Sequence, residues 1–141
     1  MKKQVPVSTI MTSHVLSVNI EDNLREVKEL INKHKIRHVP VVKGKKLIGI
    51  ISRTDINRLT FSNYFDEQED ADDAVFEMLT ISQVMTHKPK VVKQTATIKE
   101  VAELFAKSEF HALPVVSEKD PAKLEGIVTT TDVIRYMLKK L

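Results

Sequence analysis

The sequence predicts an α/β protein built from two similar repeats that pack as a pseudo-twofold pair. An eight-residue motif occurs twice, as GIISRTDI over 49–56 and as GIVTTTDV over 126–133. Shifting the chain by 74 positions also aligns 11–42 with 85–116 without a gap. Self-similarity of this kind indicates two copies of one supersecondary unit. Each copy has about fifty residues and buries little core alone, so we expect the two copies to share one fold.

The first half of each copy predicts a short strand followed by a helix. Apolar stretches at 15–18 and 91–92 indicate the strands. The patterns Asn23-x-x-Glu26 and Thr97-x-x-Glu100 fit a capping box, in which a side-chain oxygen caps the helix and Glu occupies the third helical position. Apolar residues then recur at helical spacing. They are Leu24, Val27, Leu30 and Ile31 in the first copy, and Ile98, Val101, Leu104 and Phe105 in the second.

The second half of each copy predicts a hairpin followed by another helix. HVPVV over 38–42 and ALPVV over 112–116 are rich in β-branched residues, and LIGIIS and LEGIVT supply the partner strands. Ser52 and Thr129 end those strands, and Asp55 and Asp132 fall in the first turn of the next helix. The predicted order is therefore β-α-β-β-α twice, over 7–59 and 81–138. An acidic, partly helical connector over 60–80 lies between the copies, and we expect its acidic middle to be exposed.

Composition narrows the class of protein. The chain has 141 residues, 42% of them hydrophobic, and no cysteine, which excludes disulfides and thiolate metal sites. No window reaches the roughly 18 apolar residues of a membrane span, and the first residues do not resemble a signal peptide. We therefore expect a cytoplasmic protein without membrane association. The net charge is +3, but 60–80 contributes −7 and the remainder +10.

The repeated S/T-x-x-D element offers ligand chemistry. An ionised Asp accepts hydrogen bonds and suits the two hydroxyls of a ribose, while Ser or Thr suits ribose or phosphate oxygens. The simpler interpretation is an N-cap with an acidic first turn, and the element alone favours that interpretation. The five histidines, His14, His34, His38, His87 and His111, lack metal-ligand spacing. Nucleophile and phosphate-loop motifs are absent, so we expect neither an enzyme, a catalytic cofactor nor a metal site.

Taken as an ordered set, these motifs resemble tandem CBS-domain proteins, named after cystathionine β-synthase. The matching pieces are IMT and VMT at 10–12 and 84–86, the strands RHVPVV and HALPVV, and both copies of the eight-residue motif. The resemblance implies a Bateman module whose clefts between the copies bind AMP, ADP, ATP or an adenosyl compound such as S-adenosylmethionine. It also implies a homodimer that regulates a partner protein and catalyses nothing.

The resemblance further implies three groups of binding residues. Ribose and phosphate contacts are expected from Ser52, Thr54, Asp55, Thr129, Thr131 and Asp132. Phosphate-facing residues before the VP strand are expected at Arg37, His38 and His111, whereas Ala112 offers no such contact. An adenine wall contributed by the opposite copy is expected from Ile36, Phe110, Ile10, Met11, Val84 and Met85. Each group also has a structural alternative to ligand binding. Thr54 and Thr131 would be residues of a first helical turn, the histidines would be partly buried residues at a strand end, and the wall residues would pack in the core.

Two further expectations follow from these residues. The first copy brings Arg37, His38 and Arg53 where the second has His111, Ala112 and Thr130, so the Asp55 cleft is expected to bind phosphate more tightly. The helices after the repeated motifs also carry apolar residues that we expect to form a twofold dimer. They are Ile56, Leu59, Val133, Ile134, Met137 and Leu138.

Two other functions remain open. A scaffold or oligomerisation module with empty clefts has the same repeats. Nucleic-acid binding is supported only by the basic remainder of the chain, which lacks the interleaved aromatic residues that stack on bases.

Overall fold

The computed structural model describes residues 4–59 and 69–141, with side chains described from 74 onward in the second range. The predicted exposure of the acidic middle of the connector therefore lies outside the described residues. The chain divides into two compact units, which we call the first unit, Leu16–Lys88, and the second unit, which joins the segment up to Val15 to Pro89–Leu141.

The first unit contains a four-stranded sheet with its helices. Its elements are β1 (Val18–Asn19), α1 (Leu24–His34), β2 (His38–Lys43), β3 (Lys46–Ser52), α2 (Arg53–Asn57), α3 (Glu69–Met78), α4 (Ile81–Val84) and β4 (Thr86–His87). The sheet order is β1-β2-β3-β4. β1 runs parallel to β2, and the two other pairs are antiparallel.

The second unit repeats the arrangement with three strands. Its elements are a 3-10 helix (Val7–Thr9), β5 (Val92–Lys93), α5 (Ile98–Lys107), β6 (Ala112–Val116), β7 (Leu124–Thr129) and α6 (Thr130–Lys140). The sheet order is β5-β6-β7, and Thr12 adds an isolated antiparallel bridge to Ile127 in β7. The predicted order β-α-β-β-α is therefore confirmed in both copies.

The predicted N-caps of α1 and α5 are confirmed. Asn23 Oδ1 accepts a hydrogen bond from Glu26 N at 2.9 Å, and Thr97 Oγ1 accepts one from Glu100 N at 3.1 Å. Lys35 caps the C-terminus of α1, and its φ of 53° lies in the left-handed region that closes many helices. The first strand is shorter than the predicted 15–18, because only Val18 and Asn19 pair with β2.

Each unit has its own apolar core. Leu24, Val27, Val39, Val41 and Ile51 lie at the centre of the first core and are fully buried. The second core contains Val101, Leu113, Val115 and Val128, again without solvent exposure. The strands supply β-branched residues to both cores, as the sequence pattern predicts.

The expectation that Ile56 and Val133 present apolar faces to a second copy is wrong. Their side chains are only 3% and 5% exposed, and each packs into the core of its own unit. Leu59 also packs against the first core. The apolar face that remains on α6 consists of Ile134, Met137 and Leu138, which are 55%, 55% and 62% exposed.

The compact units do not coincide with the two sequence copies. The Met11 segment (10–12) belongs to the first copy, yet it pairs with β7 of the second copy through Thr12. The Met85 segment (84–86) belongs to the second copy, yet Thr86 pairs with Ile50 in β3 of the first copy. Each sheet therefore receives a segment from the other copy.

The glycine that opens each repeated motif makes this exchange possible. A Cβ atom at Gly49 would clash with Met85 Sδ and lie 3.0 Å from the carbonyl oxygen of Thr86. At Gly126 it would lie 2.6 Å from Met11 Sδ and 2.7 Å from the carbonyl oxygen of Thr12. A Cβ atom at Gly126 would therefore displace the backbone of Thr12, whereas one at Gly49 would displace the Met85 side chain and press on the Thr86 carbonyl group.

We expect Gly49→Ala to destabilise the protein by about 1–3 kcal/mol, since the added methyl group overpacks the contact with the Met85 segment. Urea unfolding monitored by circular dichroism measures the change. Gly44→Asn is the matched control, because Gly44 has a φ of 62° in an open turn and Asn tolerates that conformation. An unchanged unfolding midpoint for Gly49→Ala would contradict the close contact.

Candidate functional site

The repeated S/T-x-x-D element forms a reciprocal capping box in both units. Ser52 Oγ accepts a hydrogen bond from Asp55 N at 3.1 Å, and Asp55 Oδ2 accepts one from Ser52 N at 2.9 Å. Thr129 and Asp132 repeat both bonds at 3.2 Å and 2.9 Å. The capping interpretation of this motif is therefore confirmed.

Each capping carboxylate keeps an oxygen outside the box. In the first unit, Asp55 Oδ1 lies 3.8 Å from Arg58 Nη1, and the Arg58 side chain is 75% exposed. Exposed ion pairs of this kind contribute about 0–1 kcal/mol, so the pair does not prevent Oδ1 from accepting a ligand hydroxyl. Asp132 is also half-buried, and it forms no ion pair with any residue whose side chain is described. An ionised carboxylate accepts several hydrogen bonds at once, so capping and ligand binding are compatible.

The first strand of each hairpin begins next to the cap, and the predicted phosphate-facing residues lie at that end of the strand. The β2–β3 register pairs His38 with Ser52, and Arg53 N donates to the Arg37 carbonyl oxygen at 2.7 Å. Arg37 and Arg53 are exposed, and His38 is half-buried. We call this group, with Asp55, the first site.

The second unit repeats the backbone geometry with less charge. The β6–β7 register pairs Ala112 with Thr129, and Thr130 N donates to the His111 carbonyl oxygen at 3.0 Å. His111 is exposed, so the alternative of a partly buried strand-end histidine is wrong there. Ala112 is buried and offers no polar group. We call His111, Thr129 and Asp132 the second site.

The predicted adenine wall is divided between the units. Val84 and Met85 lie in the first unit, where Met85 is 7% exposed and packs into the first core. Ile10 and Met11 lie in the second unit and pack against the second core. The Met85 segment therefore accompanies the Asp55 motif, and the Met11 segment accompanies the Asp132 motif.

The remaining predicted residues differ in burial. Ile36 is half-buried against the first core, and Phe110 is 45% exposed in the loop between α5 and β6. Thr54 and Thr131 are exposed on the first turns of α2 and α6. The expectation that the ligand lies in clefts between the two copies stays a prediction.

Sequence reasoning missed two contributions to these sites. It used Gly49 and Gly126 only as motif markers, although they accommodate the methionine segments. It also missed the pairing of Arg58 with Asp55, which the i,i+3 spacing on one helix indicates.

Other features of the described chain do not add to the sites. A groove of about 620 Å³ lies in the first unit, where Arg25, Phe76 and Thr80 contribute to its lining. It contains none of the predicted site residues. Among the residues that the structure describes, no group of histidine and carboxylate side chains could hold a metal ion. In the same residues no helix is both long and apolar enough to cross a membrane.

Comparison with known proteins gives one family. The model of the CBS domain matches the chain twice, over residues 7–61 and 81–139. Inosine-5'-monophosphate dehydrogenase from Korarchaeum cryptofilum is 34% identical over 119 residues, which are 84% of this chain and 21% of that enzyme. A Methanocaldococcus jannaschii protein, MJ1225, is 26% identical over 92% of this chain and 46% of its own length. The chain thus spans a fifth to a half of these relatives.

Solved structures of CBS-pair proteins have the same fold. CBSX2 from Arabidopsis thaliana is similar with a TM-score of 0.83 and 25% identity, over 98% of this chain and 97% of that chain. A structure of CBSX2 in complex with AMP aligns with a TM-score of 0.78 and 25% identity, over 96% and 98% of the two chains. These matches agree with the α/β class and with the paired repeats.

Proposed function

Since the chain belongs to the CBS-domain family, we propose that it binds an adenine nucleotide or a related adenosyl compound as a regulatory ligand and signals its occupancy to a partner protein. The observation that carries the proposal is the duplicated site geometry. In each unit a half-buried carboxylate and a capping hydroxyl pair with the residues that precede the central strand, and a methionine segment packs on the glycine three residues before the cap. The AMP complex of CBSX2, a relative with 25% identity, supports the choice of ligand class.

The chemistry of the first site suits each part of a nucleotide. Asp55 Oδ1 offers an acceptor for ribose hydroxyls, since the capping bonds use Oδ2. Arg37 and Arg53 provide permanent charges and planar donor forks, which match phosphate oxygens. Ile36 and Met85 supply apolar surface, and a methionine thioether adapts its shape to an aromatic ring.

The proposed role is regulatory and non-catalytic. A ligand that binds one conformation of the protein better than another shifts the population toward that conformation. A partner protein that recognises the favoured conformation then responds to nucleotide concentration. We include a cytoplasmic location in this proposal, and fractionation of the source cells tests it.

A scaffold with empty sites is the second candidate function. It is favoured by the capping boxes, because they give Ser52, Asp55, Thr129 and Asp132 a structural role without any ligand. A thermal-shift screen with AMP, ADP, ATP, S-adenosylmethionine and cyclic dinucleotides separates the two functions. A ligand present at a hundred times its Kd stabilises the folded state by about 2.7 kcal/mol, so binding raises the melting temperature. A constant melting temperature with every compound favours the scaffold.

We expect Asp55→Asn and Asp132→Asn each to weaken nucleotide binding at its own site by about 1–2 kcal/mol. The substitution replaces a charge-assisted hydrogen bond to ribose with a neutral one, while the Asn oxygen still accepts from the capping backbone N–H. Isothermal titration calorimetry with AMP measures the loss.

The control for this prediction is Asn23→Ala, which removes an N-cap outside both sites. It is expected to lower stability by about 1 kcal/mol and to leave AMP affinity unchanged. Full affinity in the doubly substituted Asp→Asn protein would contradict the proposed ribose contact.

We expect the first site to bind phosphate-bearing ligands more tightly and with stronger salt dependence than the second. Arg37→Ala should weaken AMP binding at the first site by about 1.5–3 kcal/mol and reduce its salt dependence, because a charge-assisted contact is lost. Adenosine serves as the control ligand, since it lacks phosphate. An unchanged AMP affinity and salt dependence would assign phosphate binding to backbone amides.

We expect a homodimer through the exposed apolar face of α6, because an apolar helix face of this kind is typical of a protein interface. Light scattering at micromolar concentration should give twice the 16.1 kDa chain mass. Met137→Glu should shift the mass to that of one chain, whereas Lys140→Glu outside the apolar face should not. A 16.1 kDa mass for the unsubstituted protein would rule out the dimer.

A further inference from the structure

The connector helix α3 docks on α1 of the first unit through one aromatic side chain. Phe76 is 2% exposed and belongs to the first core, and Lys28 Nζ lies 5.4 Å from the centroid of its ring. Arg25 Nη2 also lies 3.5 Å from Glu77 Oε1, between side chains that are 45% and 74% exposed. Because an exposed ion pair adds little, the buried ring is the main anchor among the α3 side chains that the structure describes, 74–78.

The anchor is continuous with the Met85 segment. Phe76, Ile81 and Met85 belong to one apolar cluster. Between them, Thr80 begins α4 with a reciprocal capping box to Gln83, whose bonds are 2.8 Å and 3.3 Å long. Met85 N then donates to the Ile81 carbonyl oxygen at 2.9 Å, and the Met85 side chain packs against Gly49.

The Met11 segment is held differently in the second unit. Val7 N donates to the Ala96 carbonyl oxygen at 2.6 Å, and Ile98 N donates to the Val5 carbonyl oxygen at 2.9 Å. These backbone bonds fix the chain just before Met11. Within the described part of the first unit, no backbone hydrogen bond joins 79–82 to 20–24, the corresponding stretches. The Met85 segment itself pairs with β3 through β4, but the chain that leads into it is held against the first unit by side-chain packing.

The sequence also restricts this docking to the first copy. The positions of Arg25 and Lys28 correspond to Lys99 and Ala102 on α5. α3 carries five acidic residues and no basic residue, so it matches the two cations at these positions of α1 better than the one cation at the equivalent positions of α5.

We propose that Phe76 is a positioning residue for the first site: by anchoring α3 on α1, it sets the position of Val84 and Met85 and thereby the ligand affinity at Asp55. The affinity part of this inference rests on the proposed function, whereas the positioning part does not. The second site lacks this dependence because backbone hydrogen bonds to 94–98 hold the chain that leads into its methionine segment.

Methionine methyl groups give a direct test, because they report on separate parts of the molecule. Met85 reports on the first site, Met11 on the second and Met78 on α3, where its side chain is 79% exposed. In protein labelled with ¹³C at the methionine methyl groups, Phe76→Ala should shift the Met85 and Met78 signals and leave the Met11 signal unchanged. Phe76→Leu should restore the Met85 signal, since leucine also fills an apolar site.

Affinity is measured at one site at a time. In the Asp132→Asn background, Phe76→Ala should weaken AMP binding by about tenfold, a loss of the size expected for a residue that affects affinity without touching the ligand. Phe76→Leu should recover most of that loss. In the Asp55→Asn background, Phe76→Ala should leave AMP affinity unchanged. Lys99→Gln is the matched control for Arg25→Gln, because Lys99 occupies the equivalent position on α5.

Several outcomes would overturn the inference. In Phe76→Ala, an unchanged Met85 signal with a shifted Met78 signal would show that Phe76 holds α3 but does not position the Met85 segment. Equal losses of affinity at both sites would indicate general destabilisation instead.

If Phe76→Ala does not fold, Lys28→Gln combined with Arg25→Gln should produce a smaller Met85 shift, and no shift would reject the positioning role. If the unsubstituted protein binds no AMP, the proposed function fails, and the Met85 signal still decides the positioning role.

Discussion

Both units depend on the absence of a side chain at one strand position. Gly49 and Gly126 allow the Met85 and Met11 segments to cross their strands closely enough for the methionine side chains to occupy the place of a Cβ atom. Thr86 and Thr12 then pair with the adjacent residues, Ile50 and Ile127. Each sheet is thus completed by a segment of the other copy, which is why neither repeat is a self-sufficient unit.

Because each sheet contains a segment of the other copy, each candidate site combines residues from both copies. The capping box sits at the end of the same strand that carries the glycine, three residues further along. Strand geometry therefore fixes the distance between the methionine segment and the capping carboxylate. A ligand that contacts both would bind side chains from two copies of the repeat. Its binding energy would then oppose any motion that separates the segment from its strand, which is a physical basis for regulation.

The elements that sequence predicted well are those determined by local chemistry. The caps at Asn23 and Thr97 and the helical spacing after them require only neighbouring residues. The S/T-x-x-D motif illustrates a limit, because capping and ribose binding use the same residue types at the same spacing. The structure confirms the cap, and the ribose contact stays a prediction.

Features that depend on distant residues were not predictable from the pattern. Ile56 and Val133 lie on amphipathic helices, and the sequence does not say whether their own unit or a second copy covers them. The exchange of methionine segments depends on contacts between one copy and the other. An internal alignment does not predict these contacts, because it only superposes the two copies as equivalent. The apolar flank of the connector around Phe76 favours packing on the module or on a partner, and the structure shows that Phe76 is buried in the first core beside α1.

A crystal structure of the protein grown with AMP tests the central claim most directly. The account predicts ribose hydroxyls at about 2.5–3.0 Å from Asp55 Oδ1 or Asp132 Oδ1, with both capping boxes intact. It also predicts phosphate beside Arg37 when the first site is occupied. AMP bound elsewhere, for example in the groove lined by Arg25 and Thr80, with both carboxylates engaged only in their caps, would contradict the account.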